Sequence, residues 1–196
     1  MNTTSKVGAY MDILVTLGEN QYLETERLIL RPVTLEDTED LFEYASDIEN
    51  TSHVFPTHQS IEETKEVIAN FYLKSPLGKY GIVLKENNKF IGSIDLRVES
   101  EHKRAEIGYA LNLSYTGQGY MTEAGTKILS LAFDKLNLNH VKAVHSTINP
   151  KSGEVMKRLG MKKVGVMPKN RIHKEKIVDD VIYVITDTEF QDINSK

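Results

Sequence analysis

Residues 105–124 constrain this chain more than any other stretch. Ala105, Ile107, Tyr109, Leu111 and Leu113 alternate with Glu106, Gly108, Ala110 and Asn112, the two-residue period of a strand. Further on, Met121, Ala124, Ile128, Ala132 and Leu136 fall on one stripe of a helix. Between these periods stand Gly117 and Gly119, where the chain must turn sharply and its backbone can approach a ligand. The first N–H groups of a helix have no acceptor within the helix, and the helix dipole favours negative charge there. A strand, a glycine turn and a helix start therefore make an anion site suited to a phosphate or pyrophosphate. The same residues would also serve an ordinary strand-to-helix turn.

Two familiar phosphate loops are excluded. No Lys-Ser or Lys-Thr pair follows the glycines, as a nucleoside-triphosphate loop requires. The third glycine of the dinucleotide fingerprint is missing, and the strand lies mid-chain. Glu106-Ile107-Gly108-Tyr109, followed by Tyr115-x-Gly-x-Gly-Tyr-x-Thr-Glu-Ala, resembles the acyl-CoA pyrophosphate loop of the GNAT N-acetyltransferases. The likeness is to the branch that contains the ribosomal-protein-alanine N-acetyltransferases. Thr25-Glu26-Arg27-Leu28-Ile29-Leu30-Arg31-Pro32 resembles the opening strand of that branch, and Asn149-Pro150-Lys151-Ser152-Gly153 with Val155, Met156, Leu159, Gly160 and Met161 its second cofactor segment. The likeness runs from about Leu23 to Phe190. One position departs: Ser114 stands where the general pattern has Gln or Arg.

The resemblance implies a mixed α/β fold with helices on both faces. Its central sheet is largely antiparallel, with two parallel centre strands that splay apart to admit acetyl-CoA. Leu111 and Leu113 would meet the pantetheine arm through their backbones. Gly117, Gln118, Gly119, Tyr120, Met121 and Thr122 would hold the pyrophosphate, and Glu123 is a competing anion beside it. Asn149 would reach the pantetheine amide or the region beside the thioester, while also capping the helix that Pro150 opens. The reaction implied is direct acetyl transfer to a primary amine. Glu106 is the candidate base, with an ion pair to Arg97 or Arg104 as its other reading. Ser152 is the candidate donor to the leaving sulfur, with Tyr109, Tyr115 and Tyr120 as alternatives. The acceptor is either a protein N-terminus or a small-molecule amine such as a polyamine, an aminoglycoside or an amino-acid derivative. A CoA-binding regulatory module without catalysis is a further reading.

Composition narrows the classes. The 196 residues are expected to form one domain at 23–190, with an extension over 1–22 and a tail over 191–196. Met11 offers an alternative start. Lys and Arg number 24 against 28 Asp and Glu, which disfavours bulk nucleic-acid binding. The chain has no cysteine, so disulfides, thiolate metal sites and an acyl-cysteine intermediate are excluded. His53 and His58 lack a second ligand at metal-binding spacing, and no metal is expected. No apolar run approaches the roughly 20 residues of a membrane span, and a cytoplasmic protein is expected. Exposed terminal strands make a homodimer reasonable.

Local patterns complete the expectation. Arg27–Val33 reads as a strand, Thr34 as the cap of a helix to about Asp47, and residues 49–59 as irregular. Ser60 with Glu63 is a capping box. Residues 79–85 and 89–98 form a hairpin turning at Asn87-Asn88, and Val141–Ile148 is a strand. Lys162–Val166 and Asp180–Thr186 are strands joined by a basic connection over 167–179.

Overall fold

The computed structural model describes residues 12–195. Met11, the alternative start, lies outside the described residues. Helix α1 (residues 12–19) leads into β1 (Leu23–Glu24) and β2 (Leu28–Arg31). Three helices follow: α2 (Thr38–Ala45), α3 (Ile48–Thr51) and α4 (Ile61–Val67). Then come β3 (Lys79–Leu84), β4 (Phe90–Glu99) and β5 (Arg104–Leu111). The remainder alternates through α5 (Tyr120–Ser130), β6 (His140–Ser146) and α6 (Pro150–Arg158) to β7 (Lys162–His173), β8 (Lys176–Thr186) and α7 (Asp187–Asn194).

The strands form one sheet in the order β1-β2-β3-β4-β5-β6-β8-β7. Neighbours are antiparallel except β5 and β6, which run parallel. Alternation along the strands divides the apolar residues between two faces. Leu28, Leu30, Ile82, Ile94 and Ile107 join Ile13 and Leu17 of α1, Ile128 and Leu129 of α5, Met156 of α6 and Phe190 of α7. The opposite face gathers Val83 and Phe90 with Leu41 and Tyr44 of α2 and with Ile68 and Tyr72 from the helical turn (Ile68–Leu73) that continues α4. The stripe expected on α5 is the buried one: Met121, Ala124, Ile128, Ala132 and Leu136 are all in the core.

Several local expectations change. The helix expected from Thr34 to Asp47 divides into a 3-10 turn (Leu35–Asp37), α2 and the start of α3. Residues 49–59 are not wholly irregular, because Asp47 caps α3 by accepting from the Glu49 N–H. The basic connection over 167–179 is mostly strand: β7 and β8 extend beyond the sheet as a hairpin arm. Its pairing shifts between Met167 and Arg171, where Lys169 takes a positive φ of 50°. This bulge puts alternate side chains out of step with a simple strand pattern, which hides the strand from a periodicity reading. The Asn87-Asn88 turn is present, with Asn88 left-handed at φ 58°.

Candidate active site

The parallel pair β5 and β6 is in register only from Arg104 opposite His140 to Ile107 opposite Ala143. Beyond that point β5 stays with β4 as far as Leu111, and β6 stays with β8 as far as Ser146. The centre of the sheet therefore opens into a V. A cleft of about 740 Å³ occupies the opening. Tyr109, Ala110 and Leu111 line it from β5, Gly117, Gly119, Tyr120, Met121 and Thr122 from the loop and α5, and Ile148, Asn149 and Ser152 from the start of α6.

The loop is built by its two glycines. Gly117 and Gly119 sit at φ 78° and 83°, in the left-handed region that a side chain resists. Gly119 is the residue before the first turn of α5, and the first helical bond runs from the Glu123 N–H to the Gly119 carbonyl. The Tyr120, Met121 and Thr122 N–H groups precede that bond and have no helical acceptor, so this end of the cleft is a cradle for an anion. Ser114, the departing position, lies in a 3-10 turn with its N–H donating to Asn112 Oδ1 at 3.0 Å. It is absent from the cleft lining.

On the opposite wall, Asn149 caps α6 with Pro150 at its first turn. Ser152 lies 3.4 Å from the Asn149 carboxamide nitrogen. The Tyr109 hydroxyl donates to the Ser152 carbonyl at 2.9 Å, tying β5 to the start of α6 across the opening. Burial pushes the Tyr109 phenol up, making it a weak acid. Gly153 lets α6 approach β6, since a Cβ there would stand 2.7 Å from His145 Nε2.

Nine of the ten expected cofactor positions, all but Gln118, line the cleft. The Gln118 carbonyl instead faces away, toward Arg27. One detail was not legible in sequence. The Asn50 carboxamide of α3 donates to the Leu111 carbonyl at 3.1 Å and accepts from the Leu113 N–H at 2.7 Å. A side-chain amide thus occupies backbone groups expected to meet pantetheine.

Glu106 is placed differently from its expected role. It is absent from the cleft lining and pairs with Arg97 at 2.7 Å and Lys142 at 2.9 Å. Burial alone would raise its pKa, but Lys142 and Arg97 outweigh it and hold the carboxylate below its ordinary value. The space beside Gly108, on the same strand face as Glu106, is taken by Asp95 and Arg97: a Cβ there would meet Asp95 Oδ1 at 2.8 Å. Ion pairing to Arg97, the alternative reading, is what the geometry contains. Glu49, Lys151, Glu154 and Arg158 also line the cleft without having been expected as site residues, as does His53, whose Nδ1 is buried and unpartnered among the described residues.

The α3 side of the cleft is closed by contacts between distant segments. His173 on the arm lies 2.8 Å from the Ser52 carbonyl, so its Nε2 carries the proton and donates. A second depression of about 730 Å³ is lined by Ile48, Val54, Phe55, Ile172, His173 and Lys174 among others, and Val54 borders both hollows. No group of three or more His, Cys, Asp or Glu residues suited to a metal occurs among the described residues. Nor is any helix there long and apolar enough to cross a membrane.

A splayed parallel pair with a helix N-terminus at one lip is the arrangement that the resemblance to acyl-CoA-dependent transferases implies. The chain belongs to the GNAT acetyltransferase family: it matches the acetyltransferase (GNAT) domain over residues 27–162. It is 30% identical to the N-acetyltransferase p20 of Bacillus licheniformis over 86% of this chain and 97% of that protein. An acetyltransferase of the family from Bacillus anthracis shares the fold with a TM-score of 0.77 at 24% identity, covering 85% of this chain and 99% of that one. The ribosomal protein uS5-alanine N-acetyltransferase of Escherichia coli is 23% identical over 73% of this chain and 79% of that protein. The protein is an acetyl-CoA-dependent N-acetyltransferase.

Proposed function

We propose that the acceptor is the N-terminal amine of a polypeptide, entering the cleft from the side of α3 and the arm. The supporting observation is the pair of hollows that meet at Val54. An extended chain rises about 3.3 Å per residue, so several residues behind a reacting amine could lie in the second hollow. The uS5-alanine relative, which acts on a protein, agrees in kind.

Acetyl-CoA supplies an activated thioester carbonyl. The chain's residues must hold it, deliver a neutral amine and assist the thiolate. The Gly117–Thr122 loop holds the pyrophosphate on backbone N–H groups. Leu111 and Leu113 border the pantetheine, with Asn149 at its amide. Because Glu106 is held in ion pairs away from the cleft lining, we assign the proton-accepting role to His53, whose buried Nδ1 in the cleft has no partner among the described residues. Ser152 is the hydroxyl beside the departing sulfur. We place the reaction in the cytoplasm, where acetyl-CoA and nascent N-termini coexist, and infer no nucleic-acid partner. The outermost strand β7 offers an edge for a homodimer.

The test is a thiol-release assay with acetyl-CoA against short peptides with free N-termini, the same peptides N-acetylated beforehand, and a panel of polyamines and aminoglycosides. The expected result is CoA release with free N-termini alone, and mass spectrometry placing one acetyl group on the α-amine. Turnover confined to the small amines would replace the polypeptide acceptor. His53→Gln is expected to lower kcat about a hundredfold with CoA affinity unchanged, and Glu106→Gln to leave kcat near that of the parent.

A further inference from the structure

The loop's carrying charge comes from outside the motif. Glu123 stands one turn into α5, beside the N–H cradle, where a free carboxylate would repel an incoming pyrophosphate. It is not free. The Thr25 hydroxyl donates to its Oε1 at 2.5 Å, the Arg27 N–H to the same oxygen at 2.9 Å, and Arg27 Nε to Oε2 at 2.7 Å. Arg27 Nη2 forms the ion pair at 2.7 Å. Burial alone would raise the Glu123 pKa, but Thr25 and both Arg27 contacts outweigh it and lower it, so the group stays a paired anion.

The same guanidinium reaches the loop itself. Arg27 Nη1 donates to the Gln118 carbonyl at 3.0 Å, Nη2 lies 3.5 Å from where a Cβ of Gly119 would be, and the cation sits 4.4 Å from the centre of the Tyr120 ring. Fork geometry lets one side chain hold a carboxylate and a carbonyl together. In a trans peptide the carbonyl and the next N–H point in opposite directions, so a Gln118 carbonyl drawn toward Arg27 sends the Gly119 N–H the other way.

The geometry points to Arg27 as a positioning residue for cofactor binding: from the position just before β2 it neutralises Glu123 and pins the Gln118 carbonyl. This inference rests on the loop's being the pyrophosphate site. The role is electrostatic and remote, so it carries a distinct signature. With Arg27 removed, Glu123 becomes an unpaired anion at the cradle; with both removed, the repulsion is gone.

The test is calorimetric titration of CoA into the intact protein and into Arg27→Gln, Glu123→Gln and the double variant, at low and moderate salt, with thermal melts to verify folding. Arg27→Gln is expected to weaken CoA about tenfold at low salt and less at moderate salt, since exposed charges are screened. Glu123→Gln is expected to bind no worse than the parent, and the double variant to recover most of the loss. Unchanged affinity in Arg27→Gln would overturn the inference, as would a double variant no better than Arg27→Gln. Absence of CoA binding by the folded parent would instead remove the loop reading on which it stands.

Discussion

The two walls of the cleft are made in opposite ways. The side proposed for the cofactor is built on one continuous stretch, β5 through the glycine turn into α5, faced by the start of α6, and is proposed to act through backbone N–H groups. The side proposed for the acceptor is assembled from α3, the segment after it and, at the second hollow, the β7–β8 arm, joined by side-chain contacts such as Asn50 to Leu111 and His173 to Ser52. Backbone recognition needs only a fold and a turn, so it tolerates sequence change elsewhere. Side-chain recognition depends on which residues happen to meet across the chain, and it can be re-aimed without disturbing the scaffold.

If that contrast is real, the walls should differ in how they fail. Ile128 of α5 is fully buried, while Val54, on the side proposed for the acceptor, is 39% exposed. Ile128→Ala is expected to cost about 2–5 kcal/mol of unfolding free energy through lost burial and a residual cavity. Val54→Ala should stay within roughly 0.5 kcal/mol, as exposed substitutions do. Urea denaturation of both variants decides it; a comparable loss in each would mean that the acceptor side is as deeply built into the fold as the cofactor side.

A second experiment isolates charge from shape at the loop. A Cβ at Gly117 would meet no atom within 4 Å, but its φ of 78° strains most side chains. Asn and Asp tolerate this region better than others and have the same outline. Gly117→Asn is expected to weaken CoA only modestly, and Gly117→Asp by about a hundredfold, since it adds an anion where one must bind. Equal losses in a calorimetric comparison would show that backbone geometry alone governs the cradle.

The difference between the walls also explains what could be read from the sequence. The glycine pair, the strand before it and the stripe after it are local, and each carries its own period. The strand pairing that creates the V is not local, but it follows once β5 and β6 are recognised as parallel. Asn50 was illegible because its partners lie 61 and 63 residues away and nothing in its own neighbourhood requires an amide. Residues 167–179 read as a connection rather than as strand because the bulge near Lys169 breaks the alternation and neither face of β7 is covered by a core. Glu106 misled for a related reason: its strand position was correct, but the cations that hold it come from β4 and β6.

Substitution on the acceptor wall should therefore separate binding from turnover. Val54→Asp, at the junction of the two hollows, is expected to raise the acceptor KM about tenfold by placing a charge on an apolar path, with little change in CoA affinity. Steady-state kinetics with a peptide acceptor, beside CoA titration, makes the comparison. Parallel losses in both would mean that the walls are coupled through Asn50 rather than independent.

The smallest effect concerns the root of the arm, where Lys162 at the start of β7 pairs with Glu189 of α7 at 2.6 Å. Lys162 and the Thr186 N–H and hydroxyl lower the Glu189 pKa to about 2, from an ordinary 4.5. A carboxylate depressed by folding contributes stability above its unfolded pKa, and that contribution is lost as pH falls through the folded value. Thermal melts should accordingly show the parent above Glu189→Gln at pH 7, with the gap narrowing below about pH 4.5 and closing near pH 2. Glu189 is solvent-facing, so the gap should be small and should shrink with salt. Because the contact anchors the arm and touches nothing on the cofactor wall, CoA affinity at pH 7 should be the same in both proteins. A loss of CoA binding in Glu189→Gln would mean that the arm's footing is felt at the loop, and the two walls would then have to be treated as one cooperative unit.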